Sequence, residues 1–280
     1  PSMKKTFFLS FLFLCLSLCS LALGEGLRIH FLNVQHGDCA IVECDGETLV
    51  IDGGKAEDSA LIHAYLTKTL GVDRVEHIIA THPHKDHIGG LPAVLAACPV
   101  DNVYSPIAEY DSKPFERLRK NLDTRDIALK VPEQGYCFSL GEAVVELFMP
   151  VRVHENTNNM SIITRIRYRD TAFLFMGDAK LAAEEDLLVS GRELRADLIK
   201  IGHHGREGST SDALLDAVRP QLAVISEEAL GAGGKDQKVL EKLRDRGISC
   251  YVTAEHGHII VDSNGSQLRV ETEHGAANAK

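Results

Sequence analysis

Four side chains of metal-ligand type fall within six residues, at His82-Pro83-His84-Lys85-Asp86-His87. Imidazole combined with carboxylate suits zinc or a similar first-row divalent metal. In an extended loop His82 and His84 project to the same side, two residues apart. The chain then turns, so Asp86 and His87 can point to a second position nearby. Two ligand pairs from one loop suit two ions about 3.5–4 Å apart, a geometry that activates a water between them. The plain alternative is a chance polar loop, and four ligand-type residues at this spacing argue against it.

The elements that must hold this loop are legible on both sides. Residues 75–80 are short, apolar and β-rich, the pattern of a buried strand. Gly89-Gly90 leads into an apolar helix over 91–97 with Pro92 near its start. The cluster therefore sits on a strand-to-helix loop, where catalytic groups are usually held. Upstream, strand patterns fall at 27–34, 39–44 and 48–51, with a helix at 59–70. Downstream come a strand at 100–104, a helix at 114–121, strands at 143–149, 161–168 and 172–176, and a helix at 181–190. A strand at 197–201, a helix at 211–218, a strand at 222–226, a helix at 237–246 and strands near 249–253, 257–262 and 267–271 complete the chain. Both halves run strands first, then strand–helix alternation. The expected fold is α/β: two mixed sheets face to face with helices outside, a four-layer αββα sandwich. Ligands in such a fold collect at one edge, where strand ends from both halves meet.

Residues 3–24 read as a signal peptide. Lys4-Lys5 precede an almost unbroken apolar run from Phe7 to Leu18, and Ala22-Leu23-Gly24 offers small residues for cleavage after Gly24. The apolar run is short for a membrane span. An uncleaved anchor and lipidation at Cys19 are the alternatives; a secreted or periplasmic protein without stable membrane insertion after cleavage is the expectation. Residues 25–280 then form a single domain, long enough for an ample core. The formal net charge is −10, so nothing draws the whole molecule to nucleic acid, which enters only as a substrate. Cys39, Cys44, Cys98, Cys137 and Cys250 lie beyond the leader, form no CxxC pair, and read as buried small hydrophobes.

Other polar positions carry two readings each. His36 and Asp38 flank Gly37 between the first two strands; they face the site or fill a polar turn, with a structural role favoured for Asp38. Asp52 closes the third strand before Gly53-Gly54 and is placed to orient the metal loop from behind. His256 and His258 fit a surface turn better than the site. Arg165, Arg167 and Arg169 alternate along one strand and are expected to face solvent.

Gly37-Asp38, Ile51-Asp52-Gly53-Gly54 and His82-Pro83-His84-Lys85-Asp86-His87-Ile88-Gly89-Gly90 together resemble the metallo-β-lactamase superfamily. Asn158-Asn159-Met160-Ser161, Phe173 to Ala179 with its Gly177-Asp178 pair, and Lys200-Ile201-Gly202-His203-His204-Gly205 resemble one branch. That branch includes the hydrolase domain of the DNA-uptake protein ComEC and its stand-alone secreted relatives. The resemblance runs from about Leu27 to Val270. It implies that His82 and His84 hold the first metal, Asp86 and His87 the second, and that Asp178 bridges them. One of His203 and His204 completes the second site, with His204 favoured because it directly precedes Gly205. The superfamily's usual third histidine for the first metal is missing; Thr157, Asn158 or Asn159 stands in its segment, with His154 as a further candidate. The branch's usual His-Pro pair before the C-terminal helix is replaced by Lys235-Asp236-Gln237.

The implied chemistry is hydrolysis by a water activated between two divalent ions, with zinc favoured and manganese or iron as alternatives. Asp86 or Asp178 would orient that water and help move its proton. The substrate expected from the branch is a phosphodiester or other phosphate ester, small or polymeric. Carboxylic esters, lactones or β-lactams form the second class of substrate. A metal-binding or inactive recognition module is the reading outside enzymes.

Overall fold

The computed structural model of the chain describes residues 26–229 and 237–275. The leader reading of residues 3–24, and Lys235 and Asp236, lie outside the described residues.

Alternation builds the first strand. In β1 (Leu27–Phe31) Leu27, Ile29 and Phe31 face one side and are fully buried. β1 pairs antiparallel with β2 (Ala40–Cys44), which pairs with β3 (Glu47–Ile51). β4 (Val75–Ile79), β5 (Val100–Tyr104) and β6 (Leu129–Lys130) continue the sheet in parallel, the arrangement that helical crossovers produce. The second sheet begins with β7 (Tyr136–Leu140), β8 (Ala143–Phe148), β9 (Ile163–Tyr168) and β10 (Thr171–Phe175) as an antiparallel meander. It goes on in parallel through β11 (Leu198–Lys200), β12 (Leu222–Ile225) and β13 (Ser249–Val252). β14 (Ile259–Ser263) and β15 (Leu268–Thr272) return to the first sheet beside β1. The result is an eight-stranded and a seven-stranded sheet.

Three apolar cores separate four layers. Leu27, Ile29 and Phe31 meet Phe173, Phe175 and Val224 between the sheets. Outside the first sheet lie the helices α1 (Ser59–Ala64), α2 (Lys85–Ile88), α3 (Leu91–Ala97) and α4 (Lys113–Asp123). Outside the second lie α5 (Leu181–Val189), α6 (Asp212–Val218) and α7 (Gln237–Asp245); one further turn, α8 (Thr253–His256), follows β13. The expected αββα sandwich is observed. β10 is buried on both faces, which explains its unbroken apolar run. Phe31 and Phe175 stack with ring centroids 5.8 Å apart. Each sits just upstream of a site segment, so this contact fixes the two sheets to each other where the chemistry will be.

One local expectation fails and two strands were not legible. β6, which pairs with β5, has only two residues, and β7, which pairs with β8, is largely exposed. The expected turn after His84 is helical, α2, with His84 as its extended N-cap residue. Cys137 is exposed rather than buried, because it lies on an outward position of β7; the five described cysteines are free thiols.

Candidate metal centre

Hydrogen bonds behind the histidines decide what the histidines present in front. Asp52 follows β3 and is fully buried. Its Oδ1 accepts the Thr81 backbone N–H (2.8 Å), and its Oδ2 accepts the Thr81 hydroxyl (2.7 Å). The same Oδ2 lies 2.7 Å from His87 Nδ1, so His87 donates there and its Nε2 points forward. The Thr81 hydroxyl has spent its proton on Asp52, so at 3.1 Å it accepts from His82 Nδ1. His82 Nε2 is thereby left as a bare lone pair. His204 Nδ1 donates to the Ser226 carbonyl across 3.0 Å, which turns its Nε2 forward as well. Each imidazole is held in the tautomer that a metal ligand needs.

Those bare nitrogens surround Asp178. His82 Nε2 lies 3.6 Å from Asp178 Oδ2, while His87 Nε2 and His204 Nε2 lie 3.3 and 3.4 Å from Asp178 Oδ1. The two oxygens thus face two different groups, one on each side. Asp86 Oδ2 joins the Oδ1 side, 3.5 Å from His204 Nε2. His84 Nδ1 lies 3.0 Å from His82 Nε2, so a proton or a cation must sit between them. His87 Nε2, His204 Nε2 and Asp178 Oδ1 are all buried without a hydrogen-bond partner. Leaving such atoms unmatched costs roughly 1–3 kcal/mol each. A cation between them removes that cost, so the residues present fit a pair of divalent ions. His82, His84 and Asp178 Oδ2 could hold one; Asp86, His87, His204 and Asp178 Oδ1 could hold the other.

Burial raises the cost of a charged Asp178, but His87, His204 and His82 outweigh it and hold its pKa well below the carboxylate range. Burial pushes His82 the other way, well below the ordinary imidazole value. His87 is driven down by burial and up, by more, by Asp178 and Asp52.

The metallo-beta-lactamase superfamily model matches residues 32–226. The chain belongs to the metallo-beta-lactamase superfamily. Relatives with this domain include ComE operon protein 3 of Bacillus subtilis, 23% identical over 278 residues and covering 90% of this chain. The protein YcaI of Escherichia coli is 23% identical over 254 residues, covering 88% of the chain. The chain spans 34% and 31% of the lengths of those two. Among solved structures, the metallo-β-lactamase fold protein YhfI of Bacillus subtilis superposes with a TM-score of 0.57 at 13% identity. That match covers 85% of this chain and 100% of YhfI. CmlA, a diiron β-hydroxylase of Streptomyces venezuelae, gives 0.58 at 14% identity, covering 89% and 54%.

Within this metallo-β-lactamase fold, every site segment leaves a strand end at one edge. Asp52 follows β3, the histidine loop follows β4, Asp178 follows β10, His204 follows β11 and Ser226 follows β12. Gly37 allows the β1–β2 loop to dock: its φ is +140°, and a Cβ there would collide with the Asp86 carbonyl. Asp38 N–H instead donates to that carbonyl across 3.1 Å.

Of the paired histidines, only His204 joins the cluster. Both adopt left-handed backbone angles, φ 49° and 55°, so their rings point apart, with centroids 6.4 Å apart. His203 stays outside and lacks a hydrogen bond at Nδ1. Among the four candidates for the third ligand of the first site, His154 is bound to Asp186 (3.0 Å) and Thr157 contacts the Tyr110 hydroxyl (3.4 Å). Asn159 Oδ1 accepts from the Lys180 N–H. Asn158 Oδ1 is buried and unclaimed.

Three participants carried no sequence signal of a role. Lys200, inside an apolar strand, donates to Asp38 Oδ2 across 2.8 Å, and both are buried. Asp38 Oδ1 then faces His204 Nδ1 at 3.6 Å. Glu227 is buried and meets His36 Nδ1 at 3.0 Å. Ser226 supplies the carbonyl that orients His204. His256 corrects the surface-turn expectation: it is buried, with Nδ1 3.0 Å from the Val252 carbonyl. His258 lies beside Tyr65 and accepts from Asn33 N–H, away from the cluster. Arg167 is exposed as expected; Arg165 is half-buried on the Arg195 carbonyl, and Arg169 pairs with Glu142.

Proposed function

We propose that this chain is a metal-dependent hydrolase of phosphodiesters or phosphate esters. The observation that carries it is the convergence of His82, His87 and His204 Nε2 on the two oxygens of Asp178. A donor set of imidazole and carboxylate without thiolate suits two divalent ions, with zinc favoured and manganese or iron alternatives. When bound, such a pair supplies Lewis-acid polarisation of the ester oxygen and an activated water.

The chain's own groups do the rest. Asp52, Thr81 and Ser226 hold three imidazoles in one tautomer, so nothing reorganises on binding. Asp86 or Asp178 would orient the attacking water and help move its proton. The Lys200–Asp38 pair lies beneath His204, with Asp38 Oδ1 3.6 Å from its Nδ1. No serine or cysteine nucleophile is invoked.

Support for a phosphoester comes from relatives. Ribonuclease Z of Bacillus cereus is 27% identical over 134 residues, 45% of this chain. A second reading, an acyl ester, is favoured by hydroxyacylglutathione hydrolase of Stenotrophomonas maltophilia, 37% identical over 78 residues, 28% of this chain. Turnover of bis(p-nitrophenyl) phosphate by the metal-loaded protein, lost in His84→Ala, supports the first. Cleavage of nitrocefin or acyl esters without phosphodiester cleavage supports the second. No turnover of any, with one ion or none bound, leaves a recognition module.

We propose further that residues 3–24 direct export. Among the described residues no helix is long and apolar enough to cross a membrane. Amino-terminal sequencing of the exported chain tests cleavage after Gly24.

A further inference from the structure

His36 lies on the β1–β2 loop, far in sequence from every other group it touches. Its Nε2 is 3.2 Å from Asp86 Oδ2. Its Nδ1 is 3.0 and 3.1 Å from the two oxygens of Glu227. Glu227 is itself buried and anchored: its backbone N–H donates to the Thr253 hydroxyl, and its Oε1 accepts from the Glu228 N–H. Arg206 lies 3.5 Å from Oε2. The carboxylate on Nδ1 orients the ring and aims Nε2 at Asp86.

Asp86 Oδ2 then faces three such nitrogens. His36, His204 and His87 Nε2 stand 3.2, 3.5 and 4.0 Å away. His204 and His87 have given their Nδ1 protons to Ser226 and Asp52. Three imidazole nitrogens and a carboxylate oxygen gathered this closely must share protons or a cation. One cation among them would take a lone pair from each. Ligand bonds of about 2.0–2.2 Å set neighbouring ligand atoms about 3–3.5 Å apart, the spacing that His36 and His204 show from Asp86. His36, Asp86 and His204 by themselves bring their ligand atoms within 4.8 Å of one another.

We propose that His36 is a direct ligand of the second metal, with Glu227 as the carboxylate that orients it. That ion is then enclosed by five protein side chains: His36, Asp86, His87, His204 and Asp178. The first ion, on His82, His84 and Asp178 with a neutral oxygen at most, keeps open positions. With five protein side chains against three, the second ion would be the more tightly held of the two. This rests on the dinuclear reading above.

The test is metal binding by the full chain, stripped with chelator and titrated with Co2+ against a competing chelator, with visible spectra recorded. Wild type is expected to take two ions with unequal affinities. His36→Ala and His36→Gln are both expected to weaken the tighter ion by at least about tenfold to a hundredfold and to change its Co2+ spectrum. Glu227→Gln is expected to weaken the same ion less. Melting of the metal-free variants at the wild-type temperature establishes that the change is at the site. If His36→Gln binds both ions as wild type does, His36 only hydrogen-bonds Asp86 and the ligand assignment is overturned. If wild type itself takes fewer than two ions, the dinuclear reading falls and this assignment with it.

Discussion

Asp52 accepts the Nδ1 proton of His87 across 2.7 Å, and both side chains are sealed from solvent. The same carboxylate receives two hydrogen bonds from Thr81, and Thr81 in turn holds His82. One buried anion thus sets the direction of a histidine on each side of Asp178. Its left-handed backbone, φ 59°, marks strain of the kind functional sites retain.

Asp52→Ala is expected to lower affinity for both metals by about 10- to 100-fold, since His82 and His87 lose their fixed tautomers. Chelator competition on the variant measures this. Unchanged affinity for both ions would show that Asp52 serves the fold alone.

The two adjacent histidines make opposite predictions. His204→Ala is expected to lose one ion per chain and to abolish phosphodiester turnover. His203→Ala is expected to keep both ions at wild-type strength. Metal counts by mass spectrometry on both variants check the pair; loss of an ion in His203→Ala alone would reverse the assignment.

Lys200 and Asp38 form an ion pair beneath the site, with side chains only 4% and 8% exposed. Lys200→Met strands a buried carboxylate and is expected to cost about 3–5 kcal/mol in urea unfolding of the metal-free protein. Adding Asp38→Leu is expected to recover much of that loss, because no lone charge remains. Full additivity of the two substitutions would contradict the coupling.

His77 gives a pH signature remote from the metals. Its ring stacks on Phe138 with centroids 3.9 Å apart, and burial pushes its pKa down to about 4. The unfolded chain, with an ordinary imidazole, binds the proton first as pH falls. The native state therefore keeps its full stability above about pH 6.5 and loses part of it between there and pH 4, by on the order of 1–2 kcal/mol after discounting for solvent screening. His77→Phe is expected to flatten the fall in melting temperature over that window. An identical pH dependence in the variant would refute the assignment.

Ligand spacing and strand periodicity are local, and so they were legible in the residue order. His82, His84, Asp86 and His87 sit in one short stretch, and strands such as 75–79 and 171–175 declare themselves by apolar content. From these the two-sheet sandwich and its loaded edge follow. Long-range pairing is not local. His36 meets Glu227 across 191 positions, and Lys200 meets Asp38 across 162. His204 was favoured over His203 only through the family resemblance; the consecutive left-handed residues that turn the two rings apart are not legible in composition. The amino-acid order determined which groups could bind a cation; only the folded chain decided which of them stand together, because burial removes water and forces each polar atom to find its partner in the neighbouring sheet.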